Sequence, residues 1–192
     1  MVWPILHPSQ IASILGIEHQ SSEPAQEVAW DTVSILEGWV KNLNHLSWSE
    51  ILAPTPSRGR STRNLTVNAF HPFELLPGAF ERGEFPWRPD LTDAEMEASL
   101  VDSGSTVEFA SNVLNGWKLF LMGQDSEAGF VDGPVTTPRG EVTLHALLDS
   151  QRWHAAWHHR QVIDAAKLVG HSLPHRLSDG MSSAIGLPDN VY

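Results

Sequence analysis

The segment QRWHAAWHHRQ, residues 151–161, concentrates the side chains of this 192-residue chain that are best suited to metal chemistry. His154 and His158 are four residues apart, so on an α-helix at about 100° per residue their rings share one face. Gln161 falls on that face as well. A pair of histidines at this spacing can share one divalent cation, as in helical zinc sites. The same face also carries the apolar residues Leu147, Ala165 and Leu168, which mark it as the side that points into a core.

Two interpretations of this histidine pair stay open at this stage. An inward histidine is usually a core residue with a hydrogen-bonded ring, and HxxxH is common by chance in a chain with ten histidines. An unpaired ring in apolar surroundings costs roughly 1–3 kcal/mol, and a shared metal would satisfy one nitrogen of each ring. Trp153 and Trp157 are predicted to form a ridge beside the pair, whereas His159 and Arg160 are predicted to point outward.

A third ligand must come from another helix, and His71 is the best candidate. It lies in the segment NAFHPFELL, where Val67 and Leu75 share its side of a predicted helix, so it is expected to face inward. Glu74 follows three residues later and could hold a ligand ring or act as a general base. An ordinary surface glutamate is the alternative for Glu74.

The rest of the chain predicts four long amphipathic helices. The first starts at Ala25 and carries a stripe of Val28, Ile35, Leu36, Trp39, Val40 and Leu43, widened by Trp30 and Val33. The second contains His71, is expected to kink at Pro72, and is predicted to close at Pro77, Gly78 and Gly83.

The third and fourth helices are predicted from their caps and apolar periodicity. The third covers residues 105–122 and is expected to be capped by Ser105 or Thr106. The fourth runs from about Val142 to Val169, with Gly170 at its carboxyl-terminal cap. The segments 51–61, 83–93 and 123–141 are expected to be loops, with the arginines of the first one solvated.

These elements predict an all-α protein with a four-helix bundle. A single domain, residues 1–192, is expected, with a bundle core at about residues 25–170. Residues 1–24 are predicted to form an irregular arm. Residues 171–192 are predicted to form a tail that packs on the bundle or reaches a neighbouring subunit.

Composition excludes several classes of function. A formal net charge of −11 makes nucleic acid and anionic membranes poor partners. With no cysteine, the chain has no disulfide, thiolate ligand or cysteine nucleophile, so a metal would need histidine, carboxylate or carbonyl ligands. No apolar run reaches the ~20 residues of a membrane span, and a cytoplasmic protein is expected.

The remaining histidines are weaker candidates because of their positions. His45 and His145 lie near predicted helix ends, where exposure is usual. Those in the arm and the tail are expected to contact solvent or a subunit. They are His7, His19, His171 and His175.

The combination of His71 in the second helix with HxxxHxxQ from His154 to Gln161 resembles the DinB/YfiT-like superfamily, over roughly residues 25–170. That resemblance implies a four-helix bundle, often dimeric, that carries a divalent ion on three histidines. The matching positions are His71, His154 and His158. Relatives include mycothiol-dependent maleylpyruvate isomerase and bacterial thiol transferases. The chain departs from the pattern at Pro72, directly after His71, which bears on the angle of that ligand.

The leading hypothesis is therefore a divalent-metal-dependent enzyme that acts on a small molecule as a thiol transferase or isomerase. Zinc, nickel and iron all suit imidazole ligands. Because the chain lacks cysteine, a thiol would arrive on a small cofactor such as mycothiol or bacillithiol. Trp153, Trp157 and Trp117 could wall the pocket or simply pack between helices. The alternatives are a non-catalytic metal-binding or stress-response bundle, and a metal-assisted hydrolase with Glu74 as base.

Overall fold

The computed structural model describes residues 23–56, 59–124 and 130–187. Four long helices dominate this part of the chain: α1 (Ala25–Leu43), α3 (Thr62–Arg82), α5 (Ser103–Gly123) and α6 (Leu144–Leu168). Shorter elements connect and follow them: α2 (Trp48–Leu52), α4 (Pro89–Ser99), a hairpin of β1 (Pro134–Thr137) and β2 (Gly140–Thr143), and α7 (Asp179–Ala184).

The four long helices pack on one another as a bundle. α1 contacts both α6 and α5, and α3 also contacts both α5 and α6. The predicted all-α four-helix bundle is confirmed, with the two-stranded hairpin as the one sheet in the described residues. Because α6 touches both α1 and α3, more than one of its faces is covered by protein.

The apolar stripe of α1 forms a large part of the core, as predicted. Ile35, Leu36, Trp39 and Leu43 are all 1 % exposed or less. Burying a side chain of this size contributes roughly 1.5–3 kcal/mol, so this face alone anchors the helix strongly. Trp30, which was expected to widen the stripe, lies at its edge and is 36 % exposed.

Helix α3 continues past the point where it was predicted to end. Pro72 and Pro77 both lie inside it, and only Gly83 terminates it, in the left-handed conformation at φ 66°. The prediction that Pro77 and Gly78 help to close the helix is wrong. Each internal proline removes one backbone hydrogen bond, but the burial of α3 on several sides offsets that cost. Gly78 is needed for close approach, since a Cβ there would lie 3.2 Å from the carbonyl oxygen of Glu84.

The ends of α5 and α6 also differ from the predicted ones. Asp102 caps α5, its side chain accepting from the backbone N–H of Ser105 at 2.6 Å, so the cap is neither Ser105 nor Thr106. Helix α6 begins at Leu144, two residues after Val142, because Val142 pairs with Val135 in the hairpin. At the other end of α6, Leu168 was expected to face the core but is 67 % exposed at the last turn.

Two elements replace segments that were predicted to be loops. Helix α4 occupies part of the expected connection 83–93 and has Pro89 in its first turn, where the missing N–H costs nothing. The hairpin occupies part of the expected loop 123–141. Thr136 of β1 also binds the segment before α4, accepting from Phe85 N at 2.9 Å and donating to Gly83 O at 2.8 Å.

The tail packs on the bundle as far as residue 187. Leu173 and Ile185 are 2 % and 4 % exposed, and Asn42 of α1 binds the backbone of His175. The predicted arm lies outside the described residues up to position 22. Within the described ranges, none of the helices has both the length and the apolar character that crossing a membrane requires.

Candidate functional site

His71 lies in the middle of α3 and is held by a carboxylate from α4. Its Nδ1 lies 2.9 Å from Oδ1 of Asp93, and the two residues are only 7 % and 4 % exposed. A carboxylate accepts, so the ring donates from Nδ1 and keeps its lone pair on Nε2. Asp93 was not predicted, because it belongs to the helix that the sequence reading treated as an exposed connection.

Asn68, one turn before His71 on α3, connects this pair to α6. Its Nδ2 donates to the second oxygen of Asp93 at 2.9 Å, so its Oδ1 faces the other way. That oxygen lies 3.1 Å from Nε2 of His154. His154 therefore donates from Nε2 and keeps its lone pair on Nδ1. Arg60 reaches the same Asn68 oxygen with Nη1 at 3.4 Å, so it is half-buried at the site and not solvated as expected.

His158 lies one turn after His154, with the two ring centroids 4.6 Å apart at 76°. Gln161, the third residue of the predicted row, holds it: Nδ1 of His158 donates to Oε1 of Gln161 at 2.6 Å. Burial, with a smaller contribution from the positive charge of Arg60, lowers the pKa of His158 to about 4. The ring is therefore neutral at pH 7, which is the form that ligates metals.

The donor chemistry of the three histidines fits a divalent cation. Each ring gives one N–H to an oxygen acceptor, namely Asp93, Asn68 or Gln161, which fixes its tautomer. Metal-binding histidines are usually oriented by such a bond from the nitrogen that does not ligate. As the side chains stand, however, no three His, Asp or Glu residues in the described part of the chain are arranged to hold an ion. Ligation by all three would therefore require a change in the positions of these side chains.

Three tryptophans lie near the histidine pair of α6, two of them in sequence and one through a ring contact. Trp153 and Trp157 are stacked on each other with centroids 5.0 Å apart and are half-buried. Trp87, which the sequence reading did not single out, lies against the ring of His154 with centroids 5.2 Å apart.

Trp117 has the contacts of a core residue. It is 1 % exposed and donates from Nε1 to the hydroxyl of Thr32 at 2.9 Å. Its ring lies 5.8 Å from Phe73 and 5.7 Å from Phe120, between centroids. These contacts link α1, α3 and α5 on the interior of the bundle.

Glu74 lies one turn after His71 and is exposed. Partial desolvation raises the pKa of its carboxyl group, and the proximity of His71 partly offsets that rise. A raised pKa and electrostatic contact with His71 suit a proton acceptor at the edge of the site. No hydrogen bond joins Glu74 to a candidate ligand among the bonds seen in the described residues.

His159 does not point outward, so that prediction is wrong. It is 1 % exposed, and its ring is stacked on Trp39 of α1 with centroids 5.5 Å apart. Its Nε2 accepts from the amide of Asn42 at 2.9 Å, and that amide also donates to the carbonyl of His175 at 2.6 Å. This face of α6 is covered by α1 and the tail, and His159 is a structural residue of that contact.

The other described histidines are also apart from the site. His45 is exposed, as predicted. His145 is half-buried, with Nε2 2.9 Å from the carbonyl oxygen of Glu23, so the prediction of exposure is wrong for it. His171 lies 2.8 Å from a carboxylate oxygen of Glu50. His7 and His19 lie outside the described residues.

Comparison with known proteins supports the fold. YfiT from Bacillus subtilis, described as a probable metal-dependent hydrolase with an unusual four-helix bundle topology, matches with a TM-score of 0.62 at 13 % sequence identity. The match covers 81 % of this chain and 93 % of YfiT. No protein-family profile and no curated protein sequence matches. The match shows that this chain shares the four-helix-bundle fold of YfiT.

Proposed function

We propose that the protein is a divalent-metal-dependent enzyme for a small-molecule substrate, with His71, His154 and His158 as the ligands. The observation that supports this most is the shared pattern of the three rings. Each donates one N–H to a buried oxygen acceptor and thereby keeps a lone pair on its second nitrogen. A histidine that only fills a core is hydrogen-bonded as well, so metal titration of the three histidine variants decides between the two roles.

The surrounding residues prepare the rings for this role. Asp93 accepts from Nδ1 of the His71 ring and thereby fixes its tautomer and orientation. The neutral state of His158 removes the need to displace a proton at pH 7. Bound at these nitrogens, zinc, nickel or iron would supply Lewis-acid chemistry to a carbonyl, water or thiol group.

Thiol transfer or isomerisation is the first finer proposal for the reaction. It rests on the resemblance of the sequence motifs to thiol-dependent relatives. Because the chain contains no cysteine, the thiol would have to come from a small molecule such as mycothiol or bacillithiol. The stacked, half-buried Trp153 and Trp157 offer an apolar surface for such a cofactor.

Metal-assisted hydrolysis is the second candidate, and Glu74 favours it. A carboxylate with a raised pKa, one turn from a candidate ligand, is suited to take a proton from an attacking water. The description of YfiT as a probable metal-dependent hydrolase points in the same direction.

One assay separates these reactions. The zinc-, nickel- and iron-loaded protein is screened against small electrophiles with mycothiol, bacillithiol or glutathione, and against small esters and amides without thiol. His154→Ala is the negative control, and Glu74→Gln tests the base. Turnover that requires a thiol supports the transferase, whereas thiol-independent hydrolysis that Glu74→Gln abolishes supports the hydrolase. If no substrate is turned over in either arm, the enzyme proposal is contradicted in favour of a non-catalytic metal-binding bundle.

The homodimer implied by the resemblance stays a prediction. Sedimentation of the metal-loaded protein tests it directly.

A further inference from the structure

Arg60 brings a positive charge to the histidine site of an acidic protein. The chain has a formal net charge of −11, yet Arg60 is half-buried and reaches the Asn68 oxygen that His154 also contacts. The surface carboxylates that set the net charge are screened by salt, whereas the buried Asp93 of the site is held by His71 and Asn68.

Trp87 brings a second hydrogen-bond donor next to His154. Its ring lies 5.2 Å from that of His154, and its indole Nε1 is buried without an acceptor among the described residues. A buried donor with no partner costs about 1–3 kcal/mol, and an acceptor on a bound ligand would remove that cost.

The position of Trp87 is fixed by the chain around it. The backbone of Phe85 donates to Thr136 of β1 at 2.9 Å, and Phe85 itself is 3 % exposed. The rings of Phe85 and Trp87 lie 6.3 Å apart between centroids. The hairpin and the core therefore hold the segment before α4, and with it Trp87, in place.

We propose that the substrate of this site carries an anionic oxygen group, such as a carboxylate, which Arg60 and the indole N–H of Trp87 bind beside His154. The proposal rests on the proposed function, because it names the substrate class of the same site. Both groups are donors and one is a cation, so the pair favours an anion over a neutral amide of the same shape. Arg60 and Trp87 are thus specificity-determining residues.

The test compares benzoate with benzamide, which differ in charge at nearly constant shape. Binding to the metal-free protein is followed by the indole N–H resonance of Trp87, assigned from the spectrum of Trp87→Phe. Benzoate should bind about tenfold or more tightly than benzamide, as expected for a hydrogen bond to a charged group. It should also move the Trp87 resonance.

The variants identify the residues responsible. Arg60→Gln should reduce the preference for benzoate to about one, whereas Arg139→Gln, a charge change at an exposed residue of the hairpin turn, should leave it intact. Arg60→Lys keeps the charge and should retain part of the preference for benzoate over benzamide. It replaces Arg60→Gln in the test if that variant does not fold. Trp87→Phe should weaken the binding of benzoate and leave the binding of benzamide unchanged.

Three results would overturn the proposal: equal binding of the two probes, no saturable binding of either, or a preference that survives Arg60→Gln. Because the measurement uses metal-free protein, it can fail while metal binding by the histidines is still observed. The reverse result, benzoate selectivity without metal binding, would refute the metal proposal and leave the anion site standing.

Discussion

Nδ1 of His71 lies 2.9 Å from Oδ1 of Asp93, and the second oxygen of the same carboxylate accepts from Asn68, which holds His154 in turn. One buried side chain on α4 thus orients two rings that come from different long helices. The short helix α4 is therefore part of the site and not merely a connection between α3 and α5.

Asp93→Asn should lower the affinity for a divalent metal by about 10–100-fold, the usual effect of losing a carboxylate that orients a ligand histidine. The amide keeps the shape but loses the charge and places an N–H where an acceptor is needed. Isothermal titration of metal-free protein with zinc or nickel measures this. Glu97→Gln on the same helix, which weakens contacts to Arg63 and Asn64, is the matched control. Unchanged metal affinity in Asp93→Asn would refute the positioning role.

Trp117→Phe should destabilise the fold by about 2 kcal/mol, through lost volume and the lost bond to the buried hydroxyl of Thr32. The metal affinity of the variant should stay within a factor of about two of the wild-type value, because Trp117 makes its contacts in the core. Urea unfolding and metal titration give the two values. A large loss of metal or substrate affinity at unchanged stability would instead place Trp117 in the pocket wall.

Asn42→Ala should release the tail. The side chain donates to the carbonyl oxygen of His175 at 2.6 Å and accepts from its backbone N–H at 3.0 Å. It also donates to Nε2 of the buried His159. Losing these bonds should cost about 2–4 kcal/mol and speed proteolysis within residues 171–187. Asn44→Ala, an exposed asparagine at the end of the same helix, is the control. Equal cleavage of both variants would show that Asn42 does not hold the tail.

His159 should make the protein sensitive to acid. Burial, with a smaller effect of His175, lowers its pKa from 6.5 to about 3. A histidine with a depressed folded-state pKa favours the unfolded state as pH falls below 6.5, and the loss is complete only near pH 3. At pH 5 this titration lowers the free energy of unfolding by about 2 kcal/mol.

The variant His159→Gln keeps an acceptor for Asn42 and removes this titration. The drop in unfolding free energy of metal-free protein between pH 7 and pH 5 should be smaller for the variant by that amount. Equal drops in the two proteins would mean that His159 is not buried in its neutral form.

The inward positions of His71, His154 and His158 could be predicted because helical periodicity and apolar neighbours set the direction of a side chain. The orientation of His159 could not. A helical wheel gives an angle about one axis, but it does not show that α1 and the tail cover the opposite side of α6.

Asp93 was missed for a different reason. The prolines around residues 86–89 favoured a loop, although Pro89 followed by Ala94, Glu95 and Met96 is also typical of a helix start. Even a correct helix would not have revealed its partner, since the pairing with His71 depends on how α4 packs on α3. Pro77 illustrates the same limit of local sequence patterns. Proline disfavours a helix locally, but the packing of α3 outweighs that preference.

The most direct test of the central claim is metal binding by wild type, His71→Ala, His154→Ala and His158→Ala, measured by elemental analysis and by titration of the stripped proteins with zinc, nickel and iron(II). His159→Ala serves as a control for the mere loss of a buried ring. We expect about one divalent ion per wild-type chain, a loss of affinity of at least about 100-fold in each of the three ligand variants, and retained binding in the control. A wild-type protein that binds none of these metals, or binding that all three ligand variants retain, would contradict it.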